Sequence, residues 1–266
     1  MKIAVCVKQV PDSWAEKTMA NGLLDRAGVD AVLNDLDEYA VEEALRIVEA
    51  HGGNGEGGAH SITVISMGPD RATDAVRKAL SMGADSAVIV TDSALSGSDA
   101  LATSKVLASV IASRGFDLVI CGTESTDARM SVVPAMLAQR LGWASLTFAG
   151  ATEVNPEQST VMITRDTEVG REKIAAKLPA VISVIEKINE PRYPSFKGIM
   201  AAKKKSMEVI NLESTGITSE SVGSSGAWSI VEDAQLRPPR GAGIKVVDEG
   251  DAGNQLVGFL AERKLI

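Results

Sequence analysis

Residues 117–142, DLVICGTESTDARMSVVPAMLAQRLG, constrain the fold more than any other stretch. DLVIC is a continuous apolar run bounded by turn residues, the pattern of a strand covered on both faces of a parallel sheet. Gly122 ends that strand and a polar loop over 123–127 follows. Apolar residues at Met130, Val133, Leu137 and Leu141 then predict a helix. The first-turn N–H groups of such a helix lack intrahelical partners and carry the positive end of its dipole. The loop suits an anion such as phosphate, although its Ser, Thr and Asp residues equally suit a βα connection that only caps the helix.

The same alternation runs through the first half of the chain. Strands are predicted at 3–10, 61–68, 87–91 and 117–121, and helices at 35–50, about 69–83 and 98–114. The helix at 35–50 aligns Leu36, Ala40, Ala44, Ile47 and Val48 on one face, with Asn34 or Asp35 as N-cap. Between first strand and first helix, the pieces GLLD and DAVLND suggest a small projecting hairpin. Repeated strand–helix units imply parallel strands and right-handed crossovers, hence an α/β fold with a doubly wound, mostly parallel sheet. Ligands of such sheets bind beyond the carboxyl ends of the strands, where strand order reverses. Residues 5–10, 34–37, Met67-Gly68 and 122–133 are expected to meet there. The chain has no GxGxxG between a strand and a helix, the GNGEGG of the glycine-rich connection leading instead from a helix into a strand, and no SGGxDS, so architecture alone points to a nucleotide there without specifying one.

After Gly142 the pattern changes. Extended segments at 144–154, 159–167 and 171–176 predict an antiparallel extension, and LPAVISVI from Leu178 a further buried strand with Pro179 at its start. NEPRYPSFKGIMAAKKK, residues 189–205, combines two prolines with a basic end and apolar Tyr193, Phe196, Ile199 and Met200. That composition suits a docking surface, or a loop that folds its own aromatics inward. Residues 206–266 are rich in Ser and Gly and end in a short helix near 251–263, which reads as a C-terminal arm too thin for its own core. The expected organisation is a nucleotide-binding domain over 1–190, a recognition loop over 191–205 and an extended arm over 206–266 that packs on a partner.

Charge and composition remove several functions. A net charge of −8 argues against nucleic acid as a partner, and no apolar run approaches the roughly 18 residues that span a bilayer. The chain opens directly into a strand, with no signal or transit segment, and so reads as cytoplasmic. Cys6 and Cys121 fall in predicted buried strands, which suits neither a disulfide nor a metal site. His51 and His60 flank a glycine-rich connection and read as solvated loop residues. No Ser/His/Asp grouping, HExxH or P-loop is present, so acid–base and nucleophilic catalysis are disfavoured.

At residues 163–183, ITRDTEVGREKIAAKLPAVIS, the chain resembles the electron transfer flavoprotein family, in its beta-subunit form. Arg165, Glu168, Gly170, Glu172, Ile174, Pro179, Val181, Ile182 and Ser183 fit the family motif, and Val169 departs from it. NEPRYPSFKGIMAAKKK is similar to the family's partner-recognition loop, and AVEEALR and MGAD are further matches. The resemblance implies an electron-carrier subunit without its own catalytic residues, paired with an alpha subunit that holds most of an FAD. It also implies a structural AMP in this chain. The AMP positions it implies are Cys6, Asn34, Asp35, Leu36, Asp37 and Met67, followed by Gly122, Thr123, Glu124, Ser125, Thr126, Asp127, Ala128, Arg129, Met130, Ser131, Val132 and Val133. Where better-known members continue the phosphate loop with Asn, Gln and Thr, this chain has Ser131, Val132 and Val133, which leaves phosphate to backbone N–H groups and hydroxyls such as Thr126 or Ser131. Phe196 takes the place of the anchor that enters an acyl-CoA dehydrogenase, and Asp166 that of an acidic residue holding a mobile flavin domain. Electrons would pass from acyl-CoA and related dehydrogenases to a membrane quinone reductase, in fatty acid oxidation. The alternatives are a bifurcating flavoprotein subunit with its own FAD, an ATP-hydrolysing α/β enzyme, and a ligand-binding stress protein related only by fold.

Overall fold

The computed structural model describes residues 1–266 apart from Asn21, Gly22 and Glu56. The chain forms two compact units, Met1–Ala234 and Gln235–Ile266. The first unit opens with β1 (Lys2–Cys6), β2 (Gln9–Pro11), β3 (Met19–Ala20), β4 (Leu23–Leu24) and β5 (Ala31–Leu33), then α1 (Asp35–Ala50). Next come β6 (Ser61–Met67), α2 (Thr73–Met82), β7 (Ser86–Val90), α3 (Ala100–Ala112), β8 (Leu118–Gly122) and α4 (Val133–Leu141). The second half adds β9 (Ala144–Ala149), β10 (Ala151–Asn155), β11 (Thr160–Thr167), β12 (Gly170–Lys177), β13 (Ala180–Val184), α5 (Phe196–Ala202), β14 (Met207–Ile210) and α6 (Gly223–Gly226). The second unit carries α7 (Ala252–Glu262). Among the described residues no helix is long and apolar enough to cross a membrane.

Seven strands form one parallel sheet in the order β14-β7-β6-β1-β8-β13-β9. From β1 the chain winds outward through β6 and β7, then returns to place β8 on the other side of β1. The order therefore reverses between β1 and β8. The inner strands divide their side chains between two cores. Along β1, Ile3 and Val5 face α1 and α2 while Ala4 and Cys6 face α3 and α4; in β8, Leu118 and Ile120 split from Val119 and Cys121 in the same way. Burial on both faces explains why these strands read as unbroken apolar runs.

Four expectations change. The first strand does not run from 3 to 10: it ends at Cys6, and β2 instead pairs antiparallel with β5 as the base of the projecting segment. The GLLD piece begins at Gly22, outside the described residues, and its two leucines form β4, antiparallel to β3. Residues 144–154 are not one arm of a meander. β9 joins the main sheet beside β13, and left-handed backbone at Phe148 (φ 63°), followed by Gly150, turns the chain into the separate sheet β10-β11-β12. The helix after the 122–132 loop starts at Val133, leaving Met130 outside it and exposed.

The fourth change concerns residues 206–266. The arm expected to begin at 206 first supplies β14, an edge strand in parallel register with β7. Leu212 and Val222 are then buried in the core under α3 and α4. A four-residue strand in a Ser- and Gly-rich region leaves little periodicity to read, yet half-buried Met207 and Ile210, with buried Leu212 and Val222 after them, are enough to fasten it. Lys205 secures the start of β14: its ammonium donates to the carbonyls of Leu80 at 3.1 Å and Ala84 at 2.6 Å. Those carbonyls lie at the carboxyl-terminal end of α2, where a cation is favoured. Lys205→Ala is expected to cost about 1–3 kcal/mol in urea unfolding. Amide exchange should rise in β14, and β1 should stay protected.

Candidate functional site

The reversal of strand order produces a cavity of 860 Å³ beyond the ends of β1, β6, β7 and β8, within the first unit. Its floor is formed by Cys6, Met67, Cys121 and Gly122, with Asp37 reaching over from the first turn of α1. One wall is the 123–134 segment and the opposite wall is the 91–100 segment leading into α3. A volume of this size lies in the range of about 300–1,000 Å³ that encloses small ligands and cofactors.

Close approach of α1 to the end of β8 shapes the floor. A Cβ on Gly122 would lie 2.5 Å from the Asp37 carboxylate and 2.7 Å from the Leu36 carbonyl, so only glycine admits the helix this near. Asp37 accepts the Lys8 backbone N–H at 2.8 Å. Its carboxyl is pushed up to about 7 by burial, against the opposing pull of Asn34, the Lys8 amide and charge, and the Gly122 amide. Contact with Cys6, added to burial, likewise pushes the Cys121 thiol up. A thiol held protonated is a poor nucleophile, so Cys121 serves here as packing.

Asn34 is fully buried but does not cap α1 through its side chain. Instead its amide nitrogen donates to the Glu124 carbonyl at 2.9 Å and its oxygen accepts the Thr126 N–H at 3.0 Å. This ties the start of α1 to the loop after β8, the two segments that sequence reasoning brought together. Asp35 lies exposed in the first turn of α1, and Leu36 contributes its backbone to the Gly122 contact.

Within the loop, the hydroxyls are largely committed. Thr123 donates to the Val184 carbonyl at 2.6 Å, and Ser131 donates to the Glu124 carboxylate at 2.9 Å. Asp127 has a 2 % exposed side chain and accepts Lys8 and Arg26, each at 2.7 Å. Burial opposes its ionisation, but Lys8, Arg26 and Ser125 together hold the carboxyl below its usual range. Ser125, Ala128 and Met130 face the cavity, whereas Thr126, Asp127 and Arg129 are not part of its lining. Arg129 (φ 51°) and Ser131 (φ 55°) take left-handed backbone, which turns the chain sharply into α4. At that helix start Val132, the N-cap, is apolar and provides no side-chain cap, and Ser131, Val132 and Val133 all line the cavity. The nine-residue α4 thus presents an uncapped N-terminus to the site.

Sequence reasoning brought Lys8 to the site only as part of the 5–10 segment, and it missed Arg26 and the whole 91–100 wall. Lys8 was hidden inside an overlong first strand, and Arg26 lies in an irregular segment with no local signal. The opposite wall had one: SGSDA places Asp99 just before an apolar helix, the pattern of an N-cap. Asp99 does accept the Ala102 N–H, at 2.9 Å, and also the N–H groups of Trp228 and Ser229 at 2.9 and 3.1 Å.

Outside the cavity, Tyr193 and Phe196 are 96 % and 81 % exposed, with Ile199 and Met200 partly exposed beside them on α5. The outward alternative, with aromatics turned to solvent, is the one adopted. Asp166 lies near the tip of the β11–β12 hairpin, paired with Arg171 at 2.7 Å and open to water. His60 takes a more tied position than a free loop residue, its ring contacting the N-terminal amine at 3.0 Å and the His51 carbonyl at 2.8 Å.

Comparison with known proteins bears on this arrangement. The family described as electron transfer flavoprotein domain matches residues 21–215. A protein of Mycobacterium bovis named electron transfer flavoprotein subunit beta is 48% identical over 267 residues, 99% of each chain. The chain belongs to the electron transfer flavoprotein family. Proteins named as the same subunit from Thermoanaerobacterium thermosaccharolyticum and Megasphaera elsdenii are 36% and 34% identical. They cover 100% and 99% of this chain, and 100% and 97% of their own length. The likeness is therefore to the beta subunits of this family of electron-carrying flavoproteins.

Asp37 gives the site a pH signature. Its folded value of about 7 exceeds the ordinary 3.8, so its contribution favours the fold below pH 4 and is lost as pH rises through 7. Between pH 4 and 8 this group is expected to remove on the order of a few kcal/mol of stability. Urea unfolding of the wild type should show a steeper decline over that interval than Asp37→Asn; parallel curves would contradict the assignment.

Proposed function

We propose that this chain is the beta subunit of a heterodimeric electron transfer flavoprotein working in the cytoplasm. In this reading it holds AMP structurally and helps an alpha subunit hold FAD. Electrons from acyl-CoA and related dehydrogenases then pass to a membrane quinone reductase. The observation that carries the reading is likeness to proteins named as beta subunits along the whole chain rather than over the nucleotide fold alone. When bound, FAD supplies electron transfer in single or paired steps, and every role given to this chain is one of binding and orientation.

The residues lining the cavity fit AMP. The apolar faces of Met67, Val133 and Leu107 suit a base, and Ser96 and Ser98 offer hydroxyls to a sugar. The uncapped start of α4 suits one phosphate, because neutral N–H groups and the helix dipole favour an anion there. Lys8 and Arg26 are both engaged by Asp127, so phosphate recognition in this reading rests on backbone donors at 131–133. Cys6, Asn34, Asp35, Leu36 and Asp37 form or brace the floor, and 122–130 form the near wall.

Docking is assigned to three surfaces. Tyr193, Phe196, Ile199 and Met200 present an apolar patch to a dehydrogenase. Asp166, on its exposed hairpin, faces the flavin-bearing part of the alpha subunit. The 235–266 unit, with Leu256, Val257 and Phe259 exposed on α7, packs on that same subunit.

The test is to co-express the chain with its alpha partner, release the bound small molecules and identify them by mass. One FAD and one AMP per heterodimer are expected. Two FAD molecules without AMP would transfer the reading to a bifurcating subunit with its own flavin. A stable monomer without nucleotide would reject it.

A further inference from the structure

The segment from β13 to β14 crosses the outer surface of α1 and α2 before reaching the far edge of the sheet, and it is fastened at two points. The first is Arg192. Its Nε and Nη2 donate to the Glu42 carboxylate at 2.7 and 2.9 Å, while Nη1 and Nη2 donate to the Glu49 carboxylate at 2.6 and 3.0 Å. The two carboxylates lie two turns apart on α1, so one guanidinium is forked by both. The Arg192 backbone N–H adds a bond to Glu42 at 3.1 Å, and Asn189 donates to Tyr39 and Glu43 just before it. Glu42 is buried, so this clamp is only partly open to solvent screening.

The second point is Gly198 in α5. A Cβ there would lie 2.5 Å from the Ser81 carbonyl of α2, so the backbones meet only because this residue is glycine. Ser195 caps the Gly198 N–H at 3.0 Å, and Arg77 donates to the carbonyl of buried Ala202 at 2.6 Å. Between the two anchors stand Tyr193 and Phe196, with nearly all of each side chain facing solvent. The chain's own packing does little to orient these rings, so the backbone held at both ends must do it. A binding segment ordered in advance loses less conformational freedom on association.

We infer that Arg192 is a positioning residue for partner docking: its double fork on Glu42 and Glu49 holds Tyr193 and Phe196 in the orientation a dehydrogenase engages. This rests on the reading that 191–205 is the docking segment. Lysine would keep the charge and lose the planar fork.

The test uses the complete heterodimer with an acyl-CoA dehydrogenase, reduced by its acyl-CoA, as the probe. The double variant Glu42→Gln/Arg192→Met removes the clamp without leaving a buried carboxylate unpaired. It is expected to raise KM for the dehydrogenase about tenfold with kcat within about twofold, the mark of lost binding rather than lost chemistry. Amide exchange over 193–199 should quicken while α1 stays protected and AMP content is unchanged. Arg192→Lys should restore only part of the affinity. Glu49→Gln, which removes half the clamp at an exposed carboxylate, should raise KM about threefold, and it decides the matter alone if the double variant fails to assemble. Phe196→Ser is measured in parallel. A raised KM in Phe196→Ser with wild-type KM and exchange in the clamp variants overturns the positioning role only. A wild-type KM in Phe196→Ser as well overturns the docking reading on which it rests.

Discussion

The site depends on how closely the start of α1 is drawn against the ends of β1 and β8. Asp37 supplies the contact, accepting the Lys8 amide across the end of β1 while its carboxylate lies against Gly122 at the end of β8. No side chain fits between them. With α1 seated, Asn34 is carried to where its amide satisfies Glu124 and Thr126, and the loop after β8 is held open instead of collapsing onto the strand ends. The cost is a buried carboxyl whose charged form is disfavoured, a strain typical of functional sites.

Electrostatics then decide what the cavity can accept. Lys8 and Arg26, both lining the cavity, converge on one buried carboxylate, which ties Arg26 and its neighbours to the loop after β8 and compensates one of the two positive charges. Arg71 reinforces the segment through the carbonyls of Ala27 and Val29. Across the cavity, Asp92 accepts the Leu212 N–H and Asp99 those of Trp228 and Ser229, so the far wall is fastened to chain that follows β14. Acidic side chains thus serve as structural clasps on both sides. The start of α4, by contrast, presents neutral N–H donors, the kind of group that suits an anion.

Much of this was legible in the sequence, for a physical reason. Strands buried on two faces must be apolar throughout, so 61–67, 86–90 and 118–122 stand out against the amphipathic helices between them. Gly122 and Asn34 were likewise visible as a strand terminator and a helix start. What could not be read were features decided by distant partners. β13 inserts between β8 and β9, and nothing local to either strand reports that. β14 borrows its stability from β7, and Lys8 and Arg26 acquire meaning only by converging on Asp127 from 119 and 101 residues away. The start of α4 was misjudged because left-handed turns at Arg129 and Ser131, residues that seldom take them, postpone the helix to Val133.

The most direct test of the account is AMP affinity in a heterodimer carrying Val132→Asp. An aspartate at this N-cap can accept the Ala135 N–H, Pro134 having none to give, and should hold or raise the melting temperature, because acidic caps stabilise helices by about 0.5–2 kcal/mol. The same carboxylate would occupy the place argued to receive phosphate, so AMP binding should fall by about a hundredfold or more, a loss of roughly 3 kcal/mol. Undiminished AMP binding with an unchanged fold would contradict the claim that the start of α4 holds the phosphate.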